Sequence, residues 1–189
     1  MREILRLVVV LTGICIVMSF SLAFVRQATE APIITNRIKF IKLPAIKAVL
    51  PAYDNDPVMD RKDIDVGEGK IVTVYPAKKA GEYIGFAYET EGEGHGGPVE
   101  IMLGVDMEGG LWGISIMKHA ETPGIGDAIE NPEWQKQFKG MSLDTDFSLE
   151  DEGGDVQGIS GATESSTAVA EGVGKGMELF EELKDKLAG

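Results

Sequence analysis

Hydroxyl side chains crowd one short stretch of the chain, DVQGISGATESSTAV, from Asp155 to Val169. Ser160, Thr163, Ser165, Ser166 and Thr167 fall within eight residues, beside the small residues Gly161 and Ala162. No histidine, lysine or cysteine lies among them, so no base is at hand to turn Thr163 into a nucleophile. Two readings of the stretch stay open on residues alone. In one, Ser165 or Ser166 caps a helix and Gly161 is the turn that feeds it. In the other, the helix start holds an anion: its unpaired N–H groups and the positive end of its dipole accept a phosphate without basic side chains. Thr163 would then be a hydroxyl acceptor that another enzyme modifies.

The remaining composition narrows the chemistry. The chain of 189 residues has one cysteine, Cys15, and two histidines, His95 and His119. Intramolecular disulfides and thiolate metal clusters are therefore excluded, and a histidine-based metal site is not expected. The first 25 residues hold two of the 18 basic and one of the 31 acidic residues, which leaves 16 and 30 and a formal charge of −14. Nucleic acid and anionic lipid are poor partners for so acidic a region.

The elements that position the hydroxyl cluster begin with a membrane anchor. Leu7 to Val25 (LVVVLTGICIVMSFSLAFV) carries neither charge nor proline. As a helix it is about 28 Å long, close to the hydrocarbon thickness of a bilayer. A cleaved signal peptide is the alternative, with Ser21-Leu22-Ala23 as a passable processing site, but the apolar run exceeds the usual signal core. We therefore read residues 1–26 as a single transmembrane anchor, 27–43 as a juxtamembrane connector and 44–189 as one globular domain. Arg2 and Arg6 flank the span on one side, and Arg26, Arg37, Lys39 and Lys42 on the other. Charge alone thus does not set the orientation. A short N-terminus followed by a long translocated domain would place that domain outside the cytoplasm, on the periplasmic side of the inner membrane.

Within the domain, Pro44–Leu50 is expected to form one or two helical turns, and Asp54–Gly69, charged and breaker-rich, a loop. Four strands follow at Lys70–Tyr75, Glu82–Thr90, Val99–Met107 and Leu111–Lys118, the last two joined by a hairpin turn at Glu108-Gly109-Gly110. Gly92 to Gly97 (GEGHGG) reads as a mobile glycine-rich connection. It is not a P-loop, since no Gly-Lys-Ser/Thr closes it. Asn131–Phe138 reads as a short helix with Asn131 as cap and Pro132 at its first position; residues 141–154 form an acidic loop. The last helix runs from Ser165 to Leu187, with Val169, Val173, Met177, Phe180, Leu183 and Leu187 on one stripe. Gly172, Gly174 and Gly176 each weaken it by roughly 1 kcal/mol relative to Ala, which close packing on a sheet would explain. Strands followed by helices, without βαβ alternation, indicate an α+β fold with an antiparallel sheet and packed helices.

Ser160-Gly161-Ala162-Thr163 resembles the flavinylation motif of the FMN-binding domain family, Asp-x-x-Ser/Thr-Gly-Ala-Thr/Ser. A second segment, His119-Ala120-Glu121-Thr122-Pro123-Gly124-Ile125-Gly126, resembles the family's HxETPGLG loop, which approaches the flavin. Trp134 and Phe138-Lys139-Gly140 fall where the family has its W…F-x-G segment. The resemblance implies a covalent FMN, attached through its phosphate to Thr163 by a flavin transferase. It implies a pocket of Ser160, Gly161, Ala162, Ser165 and Ser166 on one side and Glu121, Thr122, Pro123, Gly124, Ile125 and Gly126 on the other. No residue of this chain would be catalytic in its own right. One position departs from the pattern: Gln157 stands where the family has its acidic residue, and Asp155 comes two positions too early.

Single-span members of the family are electron-relay subunits of Rnf-type ion-translocating ferredoxin:NAD oxidoreductases or of Na-translocating NADH:quinone reductases. The length of this chain and the stretch Ala45–Asn55 (AIKAVLPAYDN) resemble the Rnf type, and imply other subunits of such a membrane complex as partners. The alternatives are the quinone-reductase type, another extracytoplasmic flavoprotein, or an anchored binding or assembly domain without redox chemistry. The span lacks Asp, Glu, Lys and His, so ion conduction would belong to the partners.

Overall fold

A computed structural model describes residues 1–67 and 69–188. Two compact units divide the chain, Met1–Ile41 and Lys42–Gly189.

The first unit is dominated by α1 (Arg2–Arg37), in which no residue is buried. Its most apolar 18-residue window has a mean hydropathy of 2.6, so it is long and apolar enough to cross a membrane. Helix continues past the apolar run and through Pro32, covering most of the stretch read as a connector.

A π-helical turn (Ile38–Lys42) closes the first unit and spans the boundary at Lys42, and α2 (Leu43–Val49) is the first helix of the second. Five strands follow: β1 (Lys62–Asp65), β2 (Ile71–Lys79), β3 (Glu82–Gly94), β4 (Gly97–Asp106) and β5 (Leu111–Lys118). They lie in the order β1-β2-β3-β4-β5, every pair antiparallel. Short helical segments come next, Gly126–Glu130, α3 (Pro132–Gln135), Lys136–Phe138 and Glu150–Glu152, before α4 (Thr163–Glu178) and α5 (Phe180–Ala188). The α+β class expected from the sequence is the fold observed.

Alternation along the strands gives the sheet two buried faces. Val74, Tyr88, Leu103 and Ile114 pair in one row across four strands and meet α4 and α5. Tyr75, Ala77, Ala87 and Met102 face the other way, against Ala45, Ile46, Val49 and Leu50 of α2 and the turn after it. The apolar stripe of the last helix is buried throughout, including Val169, Val173, Phe180 and Leu183 at 0% exposure. Each such side chain contributes roughly 1.5–3 kcal/mol by leaving water.

Helix α4 lies so close to β3 that backbones nearly touch. A Cβ on Gly92 would stand 1.7 Å from the Ala168 carbonyl oxygen, and one on Gly176 would stand 2.4 Å from Leu103 Cδ1. The approach lets Tyr88 donate its hydroxyl to the Gly176 carbonyl (2.9 Å) and Thr90 to that of Gly172 (2.8 Å). These bonds, each worth about 0.5–1.5 kcal/mol, offset the low helix propensity of the glycines.

Three local expectations need correction. Lys62–Asp65, read as loop, is an edge strand; Ile64 is its only buried residue, so alternation left no signal. The GEGHGG stretch is no mobile connection: β3 and β4 pair through Gly92↔Val99, Glu93↔Pro98 and Gly94↔Gly97, leaving only His95 and Gly96 at a tight turn. The final helix starts at Thr163, two residues early, and is divided at Leu179.

Candidate functional site

The hydroxyl cluster is placed by a turn and a helix start. Gly161 adopts φ +82°, a left-handed conformation that glycine accepts without steric cost. Ala162 follows as the residue that caps α4, and it has no side-chain oxygen to accept from the helix's first amides. The expectation that Ser165 or Ser166 caps the helix is therefore not met, because both lie inside its first turn. Ser166 instead ties the preceding turn together. Its Oγ accepts from Ile159 N (3.0 Å) and donates to the Ala162 carbonyl (2.9 Å). Thr163, the residue after Ala162, has an exposed side chain.

Glu121 stands at the centre of the second segment. Only 5% exposed, its carboxylate accepts from Gly96 N–H (2.9 Å) in the β3–β4 turn and from the Ser165 hydroxyl on α4. Burial pulls its titration upward, but the hydrogen bonds from Ser165 and Gly96, with His95 and His119 nearby, outweigh that and hold it below the ordinary carboxylate value. The Glu121 amide donates to His119 Nδ1 (3.2 Å), and His119 Nε2 meets Glu130 Oε1 (2.8 Å). Immediately beyond, Ile125 N and Gly126 N both donate to the Thr122 carbonyl, closing the Thr-Pro-Gly bend, where Gly124 adopts φ +78°.

The two segments meet. A cavity of about 390 Å³ is lined by Glu121, Thr122, Ile125 and Gly126 from the bend, residues 161–165 from the helix start, and His95 from the β3–β4 turn. Ser160, Ser166, Pro123 and Gly124 do not line it: Ser166 is buried beneath the turn, and the other three are exposed around it. His95 is the residue that sequence reasoning missed. Its Nδ1 lies 2.7 Å from Glu164 Oε2, and its place at the tip of a glycine-flanked hairpin was hidden once that stretch was read as a loose loop.

The W…F-x-G segment supports the acceptor stretch from behind. Trp134 Nε1 donates to the Gln157 carbonyl (2.7 Å), and Gln157 N donates to Gln137 Oε1 (2.7 Å). Trp134 packs edge-on against buried Phe138, with ring centroids 5.5 Å apart. The main chain of Gln157 is thus gripped while the residue remains exposed.

A cavity of this size falls within the roughly 300–1,000 Å³ of small-molecule and cofactor sites. A helix start without a side-chain cap suits a phosphate. At Gly126 the place of a side chain is taken by Ser165 Oγ, 2.6 Å from a hypothetical Cβ, so the bend packs directly on the helix start that borders the cavity. The residues present therefore fit a flavin mononucleotide.

The sequence signature of an FMN-binding domain matches residues 94–178, a stretch that holds both the bend and the helix start. Over 173 residues the chain is 31% identical to the G subunit of the ion-translocating oxidoreductase complex of Stutzerimonas stutzeri, covering 87% of this chain and 75% of that protein. It is 33% identical to the protein of the same name in Methanosarcina acetivorans, with 90% of each covered. The chain belongs to this G-subunit family. Its fold is also that of Shewanella oneidensis NqrC, with a TM-score of 0.52 over 80% of this chain and 76% of that one, at 19% identity.

Proposed function

We propose that this chain is the electron-relay subunit of an Rnf-type ion-translocating oxidoreductase, carrying FMN joined by a phosphoester to Thr163. The observation that carries the reading is the shared cavity: exposed Thr163 lines the same space as Thr122, Ile125 and Gly126 of the bend. FMN, when bound, supplies electron transfer in one- or two-electron steps. The protein holds the phosphate at the first amides of α4 and offers the ring the closed bend at Thr122. Small residues at Gly161 and Ala162 leave room for the flavin transferase to reach Thr163. Coverage of 75% and 90% of the two G-subunit relatives supports assembly with other subunits of such a complex. Helix α1 anchors the chain in the membrane, with the domain on the extracytoplasmic face, where tethering prevents loss of the cofactor.

The test is the fluorescence of the denatured protein band under ultraviolet light after expression with a flavin transferase. The wild type is expected to fluoresce and Thr163→Ala to be dark. A dark wild type, or a fluorescent Thr163→Ala, overturns the attachment.

A further inference from the structure

We propose that Glu121 is a positioning residue: its carboxylate clasps the β3–β4 turn and the first turn of α4 to the Thr-Pro-Gly bend, and so sets the shape of the cavity. This rests on the reading of that cavity as the FMN site. It assigns Glu121 a role through protein contacts, distinct from direct cofactor binding.

The geometry joins three elements distant in sequence. Oε1 accepts from Gly96 N–H at 2.9 Å, across 25 residues. Oε2 accepts from the Ser165 hydroxyl, across 44 residues, on the helix whose first residue is Thr163. The bend itself begins at the next residue, Thr122. A buried carboxylate accepting charge-assisted bonds from opposite sides fixes both donors more firmly than a neutral group would. The surroundings leave it little room to turn. A Cβ on Gly94 would lie 2.4 Å from Oε1, and one on Gly126 would lie 2.8 Å from Oε2. Small residues therefore close around the carboxylate on two sides.

The clasp also explains how His95 reaches the cavity. Gly96 N–H is held by Glu121, and a Cβ on Gly96 would stand 1.9 Å from the Ala120 carbonyl oxygen, so the turn is pressed against this segment. His95, one residue earlier, is thereby delivered beside Glu164 and Thr163. Were the clasp removed, the Gly96 amide and the buried Ser165 hydroxyl would lose their common acceptor, and two walls of the cavity would be free to separate.

Glutamine discriminates a positioning role from a need for charge. Its carbonyl can accept from Gly96 N–H while its amide donates to the Ser165 oxygen, so Glu121→Gln keeps the clasp and Glu121→Ala does not. The experiment uses the full chain in detergent, with three readouts: hydrogen exchange at the Gly96 amide before flavin attachment, the initial rate of attachment to Thr163, and the visible circular dichroism of the attached flavin. In Glu121→Ala, Gly96 exchange is expected to accelerate and attachment to slow about tenfold or more, as small misplacements of reacting groups do. The flavin dichroism is expected to weaken. Glu121→Gln is expected to restore all three toward wild type, and Ser165→Ala, which removes one donor without adding bulk, to fall between.

Wild-type attachment and dichroism in Glu121→Ala would overturn the proposal, as would a Glu121→Gln protein that behaves like Glu121→Ala. If the wild type takes no flavin, the Thr163 reading fails separately. Gly96 exchange then still decides whether the clasp exists, and unchanged exchange in Glu121→Ala would refute it.

Discussion

Glycine does two opposite jobs in this domain. At the contact of β3 with α4, Gly92 and Gly176 are needed because another atom occupies the place of a side chain: the Ala168 carbonyl in one case, Leu103 in the other. At the candidate site, Gly124 and Gly161 have nothing within 4 Å of a hypothetical Cβ, yet adopt φ of +78° and +82°. The first pair answers to packing and the second to backbone conformation. The core therefore constrains how near the helix lies, whereas the site constrains how the chain bends as it enters that helix.

Substitution at each pair tests this contrast. The largest effect is expected at Gly92→Ala. Its methyl group would enter the Ala168 peptide and force α4 off the sheet, a misfit costing about 1–3 kcal/mol or more. Thermal unfolding should move down accordingly, and the Tyr88 and Thr90 bonds to the helix should break. Gly161→Ala should cost about 1–2 kcal/mol through its left-handed backbone alone, while α4 stays docked. Its distinguishing consequence is slower flavin attachment at Thr163. Equal losses of helix docking in the two variants would erase the distinction.

Acid provides a smaller test, confined to the site. The carboxyl of Glu121 titrates below its ordinary value of 4.5 in the folded protein. Its contribution to stability is thus fully present above that unfolded value and is lost as pH falls through the lower folded one. Glu121→Gln should be less stable than wild type near neutrality, and the gap should close in acid. A gap that widens below pH 4.5 would reverse the assigned sign. Smallest of all is Thr163→Ala: the side chain is exposed, so stability should change by less than about 0.5 kcal/mol while attachment is abolished.

What the sequence disclosed follows the range of the interactions concerned. Val169, Val173, Met177 and Phe180 declare a helix face by their spacing, and all are buried where that spacing puts them. Of the strands, Lys70–Tyr75 declares itself by alternation and Glu82–Thr90 by its aromatic residues. Lys62–Asp65 does not, since an edge strand with one buried residue carries no periodic signal. The glycines of residues 92–97 misled for a physical reason. They mark close approach of α4 and Glu121 to a regular hairpin, although glycine-rich composition ordinarily marks irregular chain. At the site, the hydroxyl stretch and the Thr-Pro-Gly bend were visible as segments. The bonds of Glu121 to Gly96 and Ser165, and the arrival of His95, depend on folding across dozens of residues and leave no local trace.

The strand order has a bearing on timing. Every strand pairs with its neighbour in the chain, so the meander can be laid down from its N-terminal end with short loops alone. Residue 165 lies far beyond β5, and until it docks, Glu121 has one donor and the pocket has no floor. Under the proposed attachment at Thr163, an enzyme that needs the finished pocket would act only on molecules whose last helix has already docked.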